Sequence, residues 1–396
     1  MLFRVAFKSL LDRKTSVGLC LFTIGLSVFL LLATEQLRQQ TRASFYSSVS
    51  GIDLIVGPRT GQLNLLLYSV FHLGAPTNNI SWQSYKNIAQ DSKVAWSIPL
   101  SLGDSHRGFR VLGTEDAFFQ HYRYGTKQPL AFAKGASFNH AKTVVLGAHV
   151  AKQLGYKLGQ KITIAHGLKA TRFNQHGDHP LTISGILRPT GTPIDRLVIV
   201  PLEALEAVHP QPKSTNPPER QSITALMLGL KSKMHSFGLQ RYINQYPEEA
   251  LMAILPGVAL TELWQITAIV EASINAIAIL VLLSACLGMS AMIISSLRER
   301  QQEMTILRRL GASPWYIFGL IQAEAFLICT SACAIAALSI YALLPLLSQL
   351  LLEHFQIMLQ PNLLTKESGI MVLVVLACNQ LLACLPAFSA YRRSIL

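Results

Sequence analysis

Charge is scarce in this chain: Asp, Glu, Lys and Arg supply 14% of its 396 residues, where a soluble domain carries about a quarter. Acid is the scarcer sign, with 21 residues against 34 basic ones, and none of the six cysteines falls in the polar middle of the sequence. The first shortage argues against an ordinary soluble protein. The last excludes a disulfide framework for that middle, whose stability must come from a packed core that its length permits. Two kinds of motif are missing as well. There is no GxxxxGK[ST] phosphate loop, and neither a GxSxG elbow nor a Ser or Cys in a base-paired motif, so no catalytic site is expected on this chain.

What the chain does have is long apolar runs. Thr15 to Thr34, Gln265 to Leu297, Ala325 to Ser348 and Ser368 to Ala390 each reach the ~20 residues that cross ~30 Å of hydrocarbon. Cys20, Cys286, Cys329, Cys333, Cys378 and Cys384 all lie in them, as small packing residues rather than redox or metal groups. Arg4, Lys8, Arg13, Lys14, Arg298, Arg300, Arg308, Arg309, Arg392 and Arg393 fall at ends that four crossings place on one side, and the bias of Lys and Arg makes that side cytoplasmic. The net charge of +13 then reflects membrane topology and anionic headgroups, not nucleic acid. The first run reads as an anchor and not a cleaved signal, being long for one and lacking a small residue at −3 in Leu31, Leu32, Ala33.

The expected plan is an α-helical membrane protein with four transmembrane helices and a large mixed α/β extracytoplasmic domain between the first two. Its parts are a cytoplasmic amphipathic helix (1–14), a first span (15–34), the outer domain with stalk helices (35–258), a second span (265–297), a cytoplasmic coupling helix (298–313), a third span (325–348), a short outer loop (349–367), a fourth span (368–390) and a cytoplasmic tail (391–396). Small residues supply close helix approach: Gly18 and Gly25 in the first span, Ala272 with Ala276 and Ser284 with Gly288 in the second. Glu271 and Glu324 stand near membrane boundaries, where a carboxylate is either functional or reaches out to headgroups.

The segment SLRERQQEMTILRRLGASP, Ser296 to Pro314, is a charged helix between two apolar runs. Leu297, Met304, Leu307 and Leu310 recur at helical spacing beside Arg298, Arg300, Arg308 and Arg309. Gly311 sits where a left-handed helix end belongs, and Ser313 followed by Pro314 reads as an N-cap opening the next helix. Arg300, Glu303, Ile306, Leu307, Arg308, Leu310, Gly311, Ala312 and Ser313 together resemble the RxxExxILRxLGAS loop of the FtsX-like, MacB-type ABC transporter permeases. The opening AFKSLLDRKTSVGLCL, GIDLIVG at Gly51 to Gly57 and PTGTPIDRLVIVPLEAL from Pro189 to Leu205 are similar to the same family. Macrolide exporters of that family carry a fused ATPase domain, and the missing phosphate loop departs from them.

This resemblance implies a permease subunit in a bacterial inner membrane. ATP and magnesium would be used by a separate cytoplasmic ABC ATPase dimer, a second permease subunit would complete a homo- or heterodimer, and a periplasmic accessory protein could receive the cargo. Motion would pass from the coupling loop through a stalk to a periplasmic domain made of a porter-like part and a second small part. The cargo would be a lipoprotein, lipid, peptide or drug.

Within the outer region TEQLRQQTRASFYSSVS and ALTELWQITAIV read as helices, with Trp264 at headgroup level. KTVVLGAHVAKQLG reads as strand, turn and helix ended by Gly155, RLVIVPLEALEAV as strand then helix, and KITIAHG, PLTISGILRP and SITALMLGLKS as strands. Gln211 to Arg220 reads as a loop. His166, His176, Asp178 and His179 cluster with ligand types that suit zinc, although no established zinc spacing is present and a polar loop explains them as well. A sensor that reports periplasmic ligand or metal to a cytoplasmic partner is the alternative function. Such a sensor needs only two spans and an output domain, and the cytoplasmic segments here are too short to fold.

Overall fold

The computed structural model describes residues 2–11, 13–138, 140–166, 180–208, 222–299, 306, 309, 311–355 and 365–395. Its chief elements in chain order are α1 (Leu2–Leu11), α2 (Lys14–Ser48), β1 (Leu54–Pro58), α3 (Gln62–Ser69), α4 (Trp82–Ala89), β2 (Val94–His106), β3 (Phe109–Thr114), β4 (Phe132–Gly135), β5 (Thr143–Leu146) and α5 (Ala148–Leu154). There follow β6 (Leu181–Leu187), β7 (Leu197–Pro201), α6 (Leu202–Val208), β8 (Ala225–Leu230), α7 (Ser236–Asn244), β9 (Leu251–Ile254), α8 (Pro256–Glu299), α9 (Pro314–Phe355) and α10 (Lys366–Ile395). The chain divides into two compact units, Met1–Gln40 with Ala268–Leu350 and Leu359–Leu396, and Thr41–Thr267 with Leu351–Met358.

The second unit is built on one mixed sheet in the order β9-β1-β8-β2-β3-β7-β5-β6-β4. Neighbours run antiparallel except β3 with β7 and β5 with β6. Because side chains alternate across a strand, each apolar run feeds two cores. Ile55, Met227, Leu112, Ile199 and Val145 enter a core that extends along one face of the sheet. On the other face Leu54, Val56, Leu226 and Leu228 meet Tyr85 and Ile88 of α4 and Leu239 and Ile243 of α7, whereas Val111, Val144, Leu146, Val198 and Val200 meet Val150 of α5 and Leu205 of α6. One face is continuous and the other is split. That is how a single sheet carries two parts.

Burial on both faces explains why LIVGP of β1 and LVIVP of β7 are apolar without alternation and buried throughout. β6, buried on alternate positions, shows the period of two instead. The expected strand KITIAHG is two short ones, since Lys161–Ile162 pairs with β6 while Ala165–His166 pairs with β2. Gly155 ends α5 in the left-handed conformation at φ 67°. The TGTPID stretch is a turn wrapped around one carboxylate: buried Asp195 accepts from the backbone N–H groups of Thr190 and Gly191 and from the Thr190 hydroxyl. Burial raises the Asp195 pKa against the opposing pull of those hydrogen bonds. A Cβ on Gly147 would collide with the carbonyls of Ile194 and Asp195, so this turn needs glycine opposite it. The expected loop at Gln211 to Arg220 lies outside the described residues.

Among the described residues four helices are long and apolar enough to cross a membrane: Lys14–Ser48, Pro256–Ser295, Pro314–Leu343 and Lys366–Phe388. They meet along helical stripes, Cys20, Ile24, Val28 and Leu32 from α2 against Leu282, Cys286, Met289 and Ile293 from α8, with Ile321, Ala325, Ile328 and Ala332 from α9 and Val375, Ala383 and Ala387 from α10. All six cysteines are free thiols.

Candidate functional site

The coupling segment joins α8 to α9. Of its residues, Ile306 and Arg309 are helical and exposed, and Gly311 follows at φ 93° with open space where a Cβ would stand. A side chain at that φ is strained even without a clash. Ala312 is half-buried, and the Ser313 hydroxyl accepts from the Tyr316 N–H at 3.3 Å as α9 begins with Pro314. Arg300, Glu303, Leu307, Arg308 and Leu310 lie outside the described residues. Just after this segment Trp315 meets Tyr391 of α10 at 5.2 Å and Phe318 at 5.8 Å between ring centroids. Aromatic residues so placed suit a membrane boundary.

α1 docks on the first turns of α9. Ala6 packs against Leu320 and Ala323, and the Ser9 hydroxyl donates to Glu324 Oε1 at 2.5 Å. Glu324 is buried, so its expected reach toward headgroups is replaced by a partner inside the unit. Glu271 behaves differently. It is half-buried on α8, with Oε2 3.9 Å from Nη1 of Arg38 on α2. Arg38 is itself held on its own helix by two hydrogen bonds to buried Glu35, at 2.9 and 2.7 Å, and Gln39 donates to the same carboxylate at 2.7 Å. Sequence reading passed over Glu35 and Arg38. An (i, i+3) Glu–Arg pair beside a span would have been the signal.

α2 and α8 each carry residues of both units. Within the α/β unit their ends are fixed in one core, which holds Val49, Ala259 and Leu260 with Phe45 and Leu263 packed against it. Phe45 lies 4.5 Å from Phe71 and 5.4 Å from Trp264, and the Arg42 guanidinium stands 5.2 Å above the Trp264 ring. Trp264, expected at headgroup level, is thus a packing residue of this domain. The carbonyls that α2 leaves unpaired at its C-terminus are taken up by the Tyr122 hydroxyl on Ser48 at 2.6 Å and the Gly125 N–H on Ser47 at 3.1 Å.

The small residues assigned to helix approach divide. Gly25 is buried, with space for a Cβ 3.7 Å from the Ala332 carbonyl, whereas Gly18, Ala272, Ala276, Ser284 and Gly288 are exposed on this chain. Of the zinc candidates only the His166 backbone is described, paired with Asp104; His176, Asp178 and His179 lie outside the described residues. Among the described residues no three His, Cys, Asp or Glu side chains are grouped to hold a metal ion. Two other histidines are buried. Burial, with Arg110 nearby, lowers the His72 pKa to about 4. His106, tied to the Thr163 carbonyl and the Tyr156 hydroxyl, is also lowered by burial.

Among the described residues four apolar helices, with a sheet domain inserted in the chain after the first of them, define a multi-pass membrane protein. The family profile of the MacB-like periplasmic core domain matches residues 17–245, and that of the FtsX-like permease C-terminal region matches residues 275–395. The chain belongs to the MacB-type, FtsX-like permeases, a family of non-catalytic membrane subunits whose function generally implies an ABC ATPase partner.

Among solved structures, the periplasmic region of MacB from Actinobacillus actinomycetemcomitans is similar at 10% identity and TM-score 0.36, covering 55% of this chain and 97% of that one. The extracellular domain of the noncanonic ABC-type transporter YknZ from Gram-positive bacteria has 13% identity and TM-score 0.32, covering 51% and 98%. A domain of a putative permease protein from Porphyromonas gingivalis has 14% identity and TM-score 0.31, covering 51% and 88%. No curated protein is matched.

Proposed function

We propose that this chain is a mechanical subunit of a bacterial inner-membrane ABC transporter. A separate ATPase pair closes on ATP with magnesium and pushes on the segment from Arg300 to Ala312. The displacement runs along α8 and α2, and the periplasmic domain uses it to extract or expel a lipoprotein, lipid, peptide or drug. The termini and the coupling segment face the cytoplasm, in keeping with the basic residues at those ends. A second permease copy or paralogue completes the unit, and the outward small residues Ala272, Ala276, Ser284 and Gly288 suit contact with it.

The observation that carries this reading is the anchoring of α2 and α8 in one packed core, with the final carbonyls of α2 tied down by Tyr122 and Gly125. Helix ends fixed in that way move a domain as a body, because packed cores resist continuous deformation.

The test is at the other end of the path. Leu307 lies on the apolar stripe, and an apolar anchor lost from an interface commonly costs ~2 kcal/mol or more, while a rim charge costs less. Leu307→Asp is expected to abolish co-purification of the ATPase and stimulation of its turnover in nanodiscs, Arg308→Ala to weaken both, and membrane insertion to persist in each. Wild-type binding and turnover in Leu307→Asp would remove the coupling role from this segment.

A further inference from the structure

Arg38 uses its guanidinium on two sides. Its Nε and Nη2 edge is engaged by Glu35 on the same helix, in the bidentate geometry that makes such pairs strong. The remaining nitrogen, Nη1, faces Glu271 of α8 at 3.9 Å. That is close enough for attraction and too long for a hydrogen bond. Glu367, in the first turn of α10, also acts electrostatically on Arg38. In direct contact, one cation is shared by carboxylates from two helices of the same unit. The pair with Glu35 travels with α2 and reports nothing about its neighbours. The contact with Glu271 forms or breaks only when α2 and α8 approach or separate.

We propose that Arg38 is a positioning residue that acts as a releasable clasp between α2 and α8, with Glu35 and Glu271 competing for it. Closing the gap by about an ångström converts the long contact into a charge-assisted hydrogen bond. Opening it leaves Arg38 on Glu35 and returns Glu271, a quarter of whose side chain is exposed, to its own surroundings, so the cation is not stranded and release carries a small penalty. A clasp with a built-in resting partner can be opened and remade in each cycle. This role rests on the proposed coupling function, in which α2 and α8 transmit the stroke.

The competition makes an unusual prediction: neutralising the two acids must have opposite effects. Spin labels introduced as unnatural amino acids at Leu37 and Ile274, both exposed, would leave the native cysteines in place. The distance between them is read by pulsed electron resonance on the full chain in nanodiscs, with labelled chains diluted in unlabelled ones and no ATPase present. Glu271→Gln is expected to lower the ratio of near to far populations about twofold to fivefold, the scale of a partly exposed ion pair. Glu35→Gln is expected to raise it, by freeing Arg38 for Glu271. Arg38→Glu should open the pair, and Arg38→Glu combined with Glu271→Arg should close it again.

Shifts in the same direction for Glu35→Gln and Glu271→Gln, or no shift for Glu271→Gln, overturn the clasp. Because the distance is measured without the ATPase, these outcomes are separate from the fate of the coupling reading, which fails if Leu307→Asp keeps wild-type turnover while the clasp behaves as expected.

Discussion

The two units of this protein differ in what they leave exposed. In the α/β unit the large aliphatic and aromatic side chains point inward, with Tyr68, Phe118, Ile55, Leu100 and Leu112 almost wholly buried. In the helical unit the same chemistry points both ways: Leu19, Phe22, Ile269, Leu280, Leu338, Leu373 and Leu381 are exposed, while Ile24, Val28, Leu282 and Ile321 share the interior with small or polar groups, Cys286, Cys329, Ala332, Asn379 and Ala387. Water expels apolar surface and lipid does not, so the same residue types sort differently in the two solvents. The sheet unit is held by hydrophobic burial. The bundle depends on close packing of aliphatic and small groups alike.

The largest effect expected from that contrast comes from truncating a large aliphatic residue in each unit. Ile199 is fully buried on the continuous face of the sheet, and Ile199→Ala should cost about 2–5 kcal/mol through lost burial and the cavity left behind. Leu381→Ala, on an outward position of α10, should stay within about 0.5 kcal/mol. Denaturant unfolding followed by tryptophan fluorescence, with Trp82, Trp96 and Trp264 all in the sheet unit, measures the first. Retention of fold in detergent measures the second. Equal costs would mean that the outward face of α10 is not solvated by lipid.

A somewhat smaller effect is confined to the sheet unit and depends on pH. His72 is buried, its Nδ1 has no hydrogen-bond partner, and its pKa is lowered to about 4. The unfolded chain binds a proton near pH 6.5, while the folded one resists until about 4. Stability is therefore full above about 6.5 and is lost as pH falls from there to 4, on the order of 3 kcal/mol in all. His72 also adopts φ 55°, which asparagine tolerates, so His72→Asn should flatten the pH dependence between 7 and 4 while keeping the fold. Unfolding midpoints across that range decide; an unchanged slope would assign the acid sensitivity to other groups.

The helical half was legible because lipid imposes length and apolarity together: runs near Thr15, Gln265, Ala325 and Ser368 could hardly be anything but spans. In the sheet half, β7 and α6 were readable from RLVIVPLEALEAV, where a β-branched run changes to helical spacing. The hairpin of β2 and β3 was not. Its first strand reads VAWSIPLSLGDSH, and a proline, a glycine and scattered serines hide a pattern that bulges further disrupt. The Asp195 turn was visible only as a family likeness, since nothing local signals that one carboxylate will collect the donors of Thr190 and Gly191. The Glu35–Arg38 spacing could be read as an (i, i+3) pair, but the approach of Glu271 could not, because a charge at the end of a span looks the same in sequence whether it meets water or a neighbouring helix.

The smallest expected effect tests the other half of the contrast, that the bundle relies on packing and a few polar contacts. Asn379 is fully buried on α10, its amide donating to the Ala325 carbonyl of α9 at 3.2 Å, while its own carbonyl oxygen has no partner. A hydrogen bond between membrane helices is worth about 0.6 kcal/mol and at most about 1.7, and the unpartnered oxygen offsets part of that. Asn379→Leu should then be close to neutral, exchanging a half-satisfied amide for an apolar group of similar volume, whereas Asn379→Gly should cost more by opening a gap between α9 and α10. Resistance to unfolding in mixed detergent, compared among the three proteins, reads the order directly. If Asn379→Leu proves the more damaging of the two, the amide contact and not the filled volume holds α10 to α9, and the bundle is less unlike the sheet unit than its exposed leucines suggest.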